Sequence, residues 1–529
     1  MIKKLIIALI SLALVLIFII WYGFSTPTKD LSDEKVDTTS KSKPVVLIIV
    51  DSLMDKPLQK AIKDGRAPAL KFLSEHGQYL DNVVSSYPTM SVTVDSSLLT
   101  GTYADKHKLP GLVWFNQVEN RLVNYGSGKM EVLRLGIKQV LNDNITNLNQ
   151  QHLSKSTDTI YEELNKRQLQ TASINGLIYR GKQTHNLHIP RLVSGVNLMS
   201  DNITVKGPTL FSLGSLSQLS PENDKHNKVW QGLGLNDAFT AEELKYLIQN
   251  NSLPAFTLGY FPDLDGRVHK HGPMDLKGIE KVDQHLRMIL DAYPTWEEAT
   301  KNMVLIVYGD SAQSAIGKEH SKSIIDLTTL AGKYRVSEPG KPITKKDQIV
   351  LAVNERMAYI NLLDEKVGYT EMALDLIGDS RINFIAWKDD EGNHVYSGNV
   401  NRKFTYQPKP DGEFTDPYNK KWDMNGDFTV LNLSVNDQNE ISYGRFPDAL
   451  ARLNGALHSH EGRYLVVDAK PGHEFIAKHS PAHLGGAGHG SLHEKDSITP
   501  MIITGTDSHP KHNRVVDFKE WILELTSSN

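Results

Sequence analysis

The chain predicts an α/β fold, with a central, mostly parallel sheet flanked by helices. Three observations carry this. Short apolar runs rich in β-branched residues recur at 45–50, 256–260, 304–308, 464–467 and 501–504, as expected of strands covered on both faces. Between them lie segments of helical period, such as Ile279, Val282, Leu286, Ile289 and Leu290. Two of the runs end on an aspartate, Asp51 and Asp310, at the carboxyl edge where open α/β sheets hold ligands.

Taken in order, the chain of 529 residues begins with Lys3 and Lys4 before an apolar run from 5 to 24, interrupted by Ser11 and Gly23. At ~1.5 Å per residue that run spans about 30 Å, the thickness of a bilayer core. Trp21 and Tyr22 stand where an interfacial belt would lie. Residues 1–24 are therefore expected to form a transmembrane anchor, with the two lysines in the cytoplasm and the rest of the chain outside the cell membrane. A cleaved signal peptide, which would release a secreted protein, is the alternative. Its apolar core normally spans about 7–15 residues, and Trp21-Tyr22-Gly23-Phe24 makes a poor cleavage site. Residues 25–43, rich in Ser, Thr, Lys and Asp, read as a flexible linker. Residues 44–529 form the expected main domain. The part at about 318–460 is richer in Gly, Pro, Asn and Asp and is read as an insertion or cap. Within it, 350–353 and 359–362 are expected to pair as strands around Asn354-Glu355-Arg356.

Composition removes several functions. Lys and Arg number 58 against 62 Asp and Glu, with no block of like charge, so no nucleic-acid surface is evident. One apolar span does not make a transporter. The chain has no cysteine, so a metal site must use His, Asp, Glu and hydroxyls. It also rules out a lipidated cysteine and a sulfatase nucleophile made from one.

Four motifs, far apart in sequence, collect such groups. They are Asp51-Ser52; Tyr87-Pro88-Thr89-Met90-Ser91, running on to Thr100-Gly101; Asp265-Gly266-Arg267-Val268-His269, followed by Gly272-Pro273; and Asp310-Ser311 with the much later His489-Gly490-Ser491. Singly, each has a bland reading. An Asp at a strand end is commonly a cap or turn former, and an Asp and a His four apart can be a surface pair. On one helical face, however, that spacing also makes a two-point metal clamp. Asp263 competes for the same role, but the four-residue step to His269 favours Asp265.

Together these motifs resemble the type I phosphodiesterase/nucleotide pyrophosphatase family of the alkaline phosphatase superfamily, over most of residues 44–320 and again at about 455–510. The resemblance implies an alkaline phosphatase-like fold and two divalent metal ions. Asp265, His269 and His489 would hold one ion, with Zn²⁺ the expected metal. Asp51, Asp310 and the Ser91 oxygen would hold the other, as Zn²⁺, Mn²⁺, Mg²⁺ or Ca²⁺. Ser91 falls at the nucleophile position. Two departures stand out. Where the family has Asp-His, this chain has Asp310-Ser311. Where members place an Asn after the nucleophile helix, Leu112 stands near the expected place and Asn116 is the nearest amide downstream.

The serine leaves three readings open: a second site of hard oxygen ligands, a replacement imidazole such as His320, or a disabled site. The expected function is metal-dependent cleavage of a phosphate ester, phosphodiester or pyrophosphate before monoester, in a small-molecule, lipid or cell-wall substrate. The rival is a catalytically impaired surface module that only binds. A sulfatase is disfavoured by the lack of a C/S-x-P-x-R motif.

Overall fold

Val45–Val50 is buried along its whole length and lies fourth in a sheet of seven strands. The order is Gln78–Val84, Ile498–Thr504, Val304–Gly309, Val45–Val50, Phe256–Phe261, Thr171–Ile174, Leu210–Ser212. In this computed structural model residues 43–189, 202–398 and 402–527 are described. The expected anchor at 1–24, and the expected linker apart from Lys43, lie outside them. Among the described residues no helix is long and apolar enough to cross a membrane.

Alternate residues of the central strand feed two separate cores, because successive side chains point to opposite faces. Val46, Ile48 and Val50 pack with Leu58 and Leu70 and with Leu244, Val282 and Leu286 from the helices Asp237–Gln249 and Leu276–Leu290. Val45, Leu47 and Ile49 pack with Val94, Leu98, Ile160 and Trp521 from helices on the other face. Each such aliphatic side chain contributes about 1.5–3 kcal/mol on burial. That double coverage explains why the strand reads as an unbroken apolar run.

Register then places the functional ends. Val50 lies opposite both Gly309 and Phe261 in parallel pairs, so Asp51 and Asp310 emerge side by side, next to the turn into the helix Asp263–His271.

Two runs depart from expectation. Ile498–Thr504 belongs to this sheet but runs antiparallel to both neighbours. Tyr464–Ala469 is not in it at all. It lies in a second, eight-stranded sheet, where every pair is antiparallel. That strand is also buried on both faces, with Tyr464 and Val466 in one core and Leu465 and Val467 in another. A run covered on both sides looks the same whichever way its partners run. The second sheet extends from Ile349 to Ala469, past the expected limit of the insertion at 460. Its first hairpin, Ile349–Asn354 with Met357–Leu362, turns on Glu355-Arg356, as the sequence predicts.

His107 is fully buried beside the helix Ser91–Thr100. Its Nδ1 accepts the Leu109 N–H at 3.1 Å and its Nε2 faces Ser97 Oγ at 3.1 Å, a pattern for neutral imidazole. Burial pushes its pKa down to about 3. The unfolded chain takes up this proton near pH ~6.5 while the fold refuses it until about 3. Stability is thus expected to fall as pH drops through that window. In melting curves across it, His107→Asn should show a shallower slope, and an unchanged slope would rule His107 out as a source.

Candidate active site

Ser91 is the first residue of the helix Ser91–Thr100. Its hydroxyl lies 3.3 Å from both carboxylate oxygens of Asp51, which also accepts the Tyr260 hydroxyl. Asp310 Oδ1 accepts the backbone N–H groups of Ser52 at 3.0 Å and Ser311 at 2.7 Å. Its Oδ2 is buried with no hydrogen-bond partner. Burial, then the negative charge of Asp310, holds the Asp51 carboxyl well above the usual range. Burial likewise raises Asp310.

Asp265 and His269 stand one turn apart, with Oδ1 3.2 Å from Nε2. His489 Nε2 is 3.8 Å from the same oxygen. These three residues can offer ligand atoms within 4.8 Å of one another. Each imidazole is oriented from behind. His269 Nδ1 meets Ala487 O at 2.8 Å, and His489 Nδ1 meets Thr89 O. Carbonyl partners put the proton on Nδ1 and leave Nε2 as an electron-pair donor. Gly490 is required beside His489: its φ is +107°, and a Cβ there would lie 2.4 Å from Asn354 O. Burial works against the charge of Asp265, yet His269 and His489 hold its pKa below the ordinary value.

Asp51, Ser91, Asp265, His269 and His489 open on one cleft of about 370 Å³, lined also by Leu112, Tyr125, Leu177 and Asn354, while Asp310 is fully buried and lines no part of it. Asp51, Asp265 and Glu355 face it, and among the described residues no Lys or Arg does. Converging carboxylates and imidazole nitrogens, an unpartnered buried oxygen on Asp310 and no Lys or Arg among the described lining residues fit divalent metal ions.

The family model for type I phosphodiesterase/nucleotide pyrophosphatase matches residues 45–485. The chain belongs to this family. It is thus a hydrolase of the alkaline phosphatase superfamily, in a family of metal-dependent enzymes. Among solved structures, murine ectonucleotide pyrophosphatase/phosphodiesterase 5, in an inactive form in complex with AMP, is similar at 14% identity and a TM-score of 0.53. The human ectonucleotide pyrophosphatase/phosphodiesterase 5 is similar at 13% identity and a TM-score of 0.54. Both alignments cover 92% of this chain and 95% of the other. At such identity they speak for the fold. No curated protein sequence matches the chain.

Within this family member, the structure brings Asp51, Ser91, Asp265, His269, Asp310 and His489 to one place. Asp263 turns elsewhere: it is exposed, and its backbone N–H donates to Asp237 Oδ1 at 3.0 Å. His320 lies exposed in a short helix and lines no part of the cleft. Ser311 Oγ lies 3.3 Å from Ser52 Oγ. Gln313, two residues on, enters the centre, with Nε2 2.7 Å from Asp265 Oδ1 and 2.9 Å from Ser52 Oγ. Asn116 is occupied with Glu119, while Leu112 lines the cleft. Sequence reasoning named none of Glu355, Gln313 and His483 as site residues. The turn Asn354-Glu355-Arg356 was the only signal for Glu355.

Proposed function

We propose that this chain cleaves phosphodiester or pyrophosphate bonds through Ser91 at a two-metal centre. The observation that carries this reading is the Ser91 hydroxyl resting on Asp51, in the same cleft as the Asp265, His269 and His489 cluster. Asp265, His269 and His489 would hold one ion, Zn²⁺ by their donor types. Asp51, Asp310 and Ser91 would hold the other, where oxygen donors suit Mn²⁺, Mg²⁺ or Ca²⁺ as well as Zn²⁺. When bound, such ions supply positive charge that favours an alkoxide and neutralises phosphoryl oxygens.

The residues of the chain do the rest. Asp51 holds the Ser91 hydroxyl towards the cleft. Ser91 Oγ forms a bond to phosphorus while the bond to the leaving oxygen breaks, giving a phosphoserine ester. Water then cleaves that ester and restores the hydroxyl. Leu112, Leu177 and Tyr125 supply an apolar, aromatic wall for the leaving group. The AMP complex of the murine neighbour makes nucleotides the first substrates to test. Val353, Asn354 and Glu355, which line the cleft from the second sheet, support reading residues 318–460 as an insertion that shapes substrate choice. The apolar run at 5–24 supports placing this chemistry outside a cell membrane.

Ser311 favours a second reading, a module that binds without turnover. Metal content separates the two. The full chain, purified without chelator, is expected to carry about two ions and to hydrolyse an aryl phosphodiester. Chelation should abolish hydrolysis and metal return should restore it. One ion or none, with no turnover in any added divalent metal, would establish the binding module.

A further inference from the structure

Glu355 occupies the two-residue turn between Ile349–Asn354 and Met357–Leu362. Its φ of +55° is a conformation that a glutamate seldom takes unless its surroundings impose it. Here they do. The Phe475 N–H donates to Glu355 O at 2.7 Å, the next residue's N–H donates to His489 O at 2.9 Å, and the His489 N–H donates to Glu355 Oε2 at 2.9 Å. With one carboxylate oxygen thus fixed, the other is aimed. Oε1 lies 3.6 Å from His269 Nε2 and 3.7 Å from His489 Nε2, the same nitrogens that Asp265 Oδ1 approaches at 3.2 and 3.8 Å.

Because both Nδ1 atoms face carbonyls, both Nε2 atoms are the ones turned to the carboxylates, each carrying a proton or giving its lone pair to a metal ion. Two ring nitrogens and two carboxylate oxygens thus converge on one point, a set balanced by positive charge, which a metal ion supplies when it displaces the Nε2 protons. Ligands about 2.0–2.2 Å from one ion stand roughly 3.3 Å apart, close to these separations. We propose that Glu355 is a fourth protein ligand of the ion held by Asp265, His269 and His489, so that this ion ties the antiparallel sheet to the catalytic one. The inference rests on the two-metal reading above. It also implies that an added carboxylate at the first ion accompanies the imidazole that Ser311 removes from the second.

The test uses the full chain stripped of metal and reloaded, as wild type and as Glu355→Gln. The amide oxygen can still accept the His489 N–H, so the substitution removes the charged ligand and keeps the backbone contact. Losing an outer-shell partner already weakens metal binding by about 10–100-fold. Competition with a chromophoric chelator should therefore show Zn²⁺ bound at least about tenfold more weakly. With Co²⁺ in place of Zn²⁺, the visible absorption bands should shift between the two proteins, since they report the ligand set. If Glu355→Gln fails to fold, Glu355→Asp, one methylene shorter, should show the same spectral shift. A wild-type chain that takes up two ions and turns over, with variants identical to it in affinity and spectrum, overturns the role of Glu355 alone. A wild-type chain that takes up no ion overturns the underlying reading as well.

Discussion

Replacing Ser91 with alanine is expected to lower turnover of an aryl phosphodiester by about 10⁴-fold or more, the scale on which loss of a catalytic nucleophile acts. The fold should hardly notice. The hydroxyl bonds Asp51 at 3.3 Å, and the side chain is half-buried along the cleft, so a shift beyond about 1 kcal/mol in stability is not expected. Ser91 would also contribute an oxygen to the second ion, so metal content should be measured in parallel. The Asp265, His269 and His489 set does not use Ser91 and should keep its ion. Mass spectrometry of acid-quenched wild type should find the phosphoryl group on the peptide containing Ser91. Turnover within tenfold of wild type in Ser91→Ala would mean that another group attacks phosphorus.

Arg356→Met is expected to cost about 3–5 kcal/mol, the penalty for leaving one charge of a buried pair alone. Arg356 and Asp496 are both fully buried and directly paired. The guanidinium also donates to Ser314 Oγ at 2.8 Å, Ala469 O at 3.0 Å and His473 O at 3.1 Å. Those contacts join the hairpin that carries Glu355 to Asp496, whose other oxygen accepts the Ser491 N–H two residues after His489, so the loss should loosen the Asp265, His269 and His489 cluster as well. Denaturant unfolding followed by tryptophan fluorescence gives the stability. The double variant Arg356→Met/Asp496→Leu removes both charges and should lose markedly less than the sum of the single variants. A loss below about 1 kcal/mol in Arg356→Met would show that the pair is not holding these segments.

Much of the site was legible because its residues carry local signatures. Asp51 and Asp310 each end an apolar strand, and the parallel register of those strands makes the two aspartates neighbours. Asp265 and His269 share a helical face by their spacing. His489 lies in a glycine-bounded loop, and Gly490 proves necessary for the approach of Asn354. Glu355, Gln313 and His483 have no such signature. His483 stacks on His269 at a centroid distance of 4.2 Å, although over 200 residues of chain separate them. Nothing local to either residue announces the other.

Strand positions divide in the same way. Continuous burial on both faces makes 45–50, 256–260 and 304–308 recognisable as central strands. The same apolar signal at 464–467 and 501–504 carries no information about partner or direction, and both were decided by tertiary packing.

The sequence by itself determined the α/β class, the family pattern and six candidate residues that the fold brings together, because strand burial, helical spacing and the motifs' order are local or nearly local properties. Only the tertiary structure decided that a hairpin of the second sheet delivers Glu355 to His269 and His489, and that Ser311 is not replaced by His320. Those outcomes depend on which distant segments pack together. That choice arises from the summed burial and hydrogen bonding of two sheets.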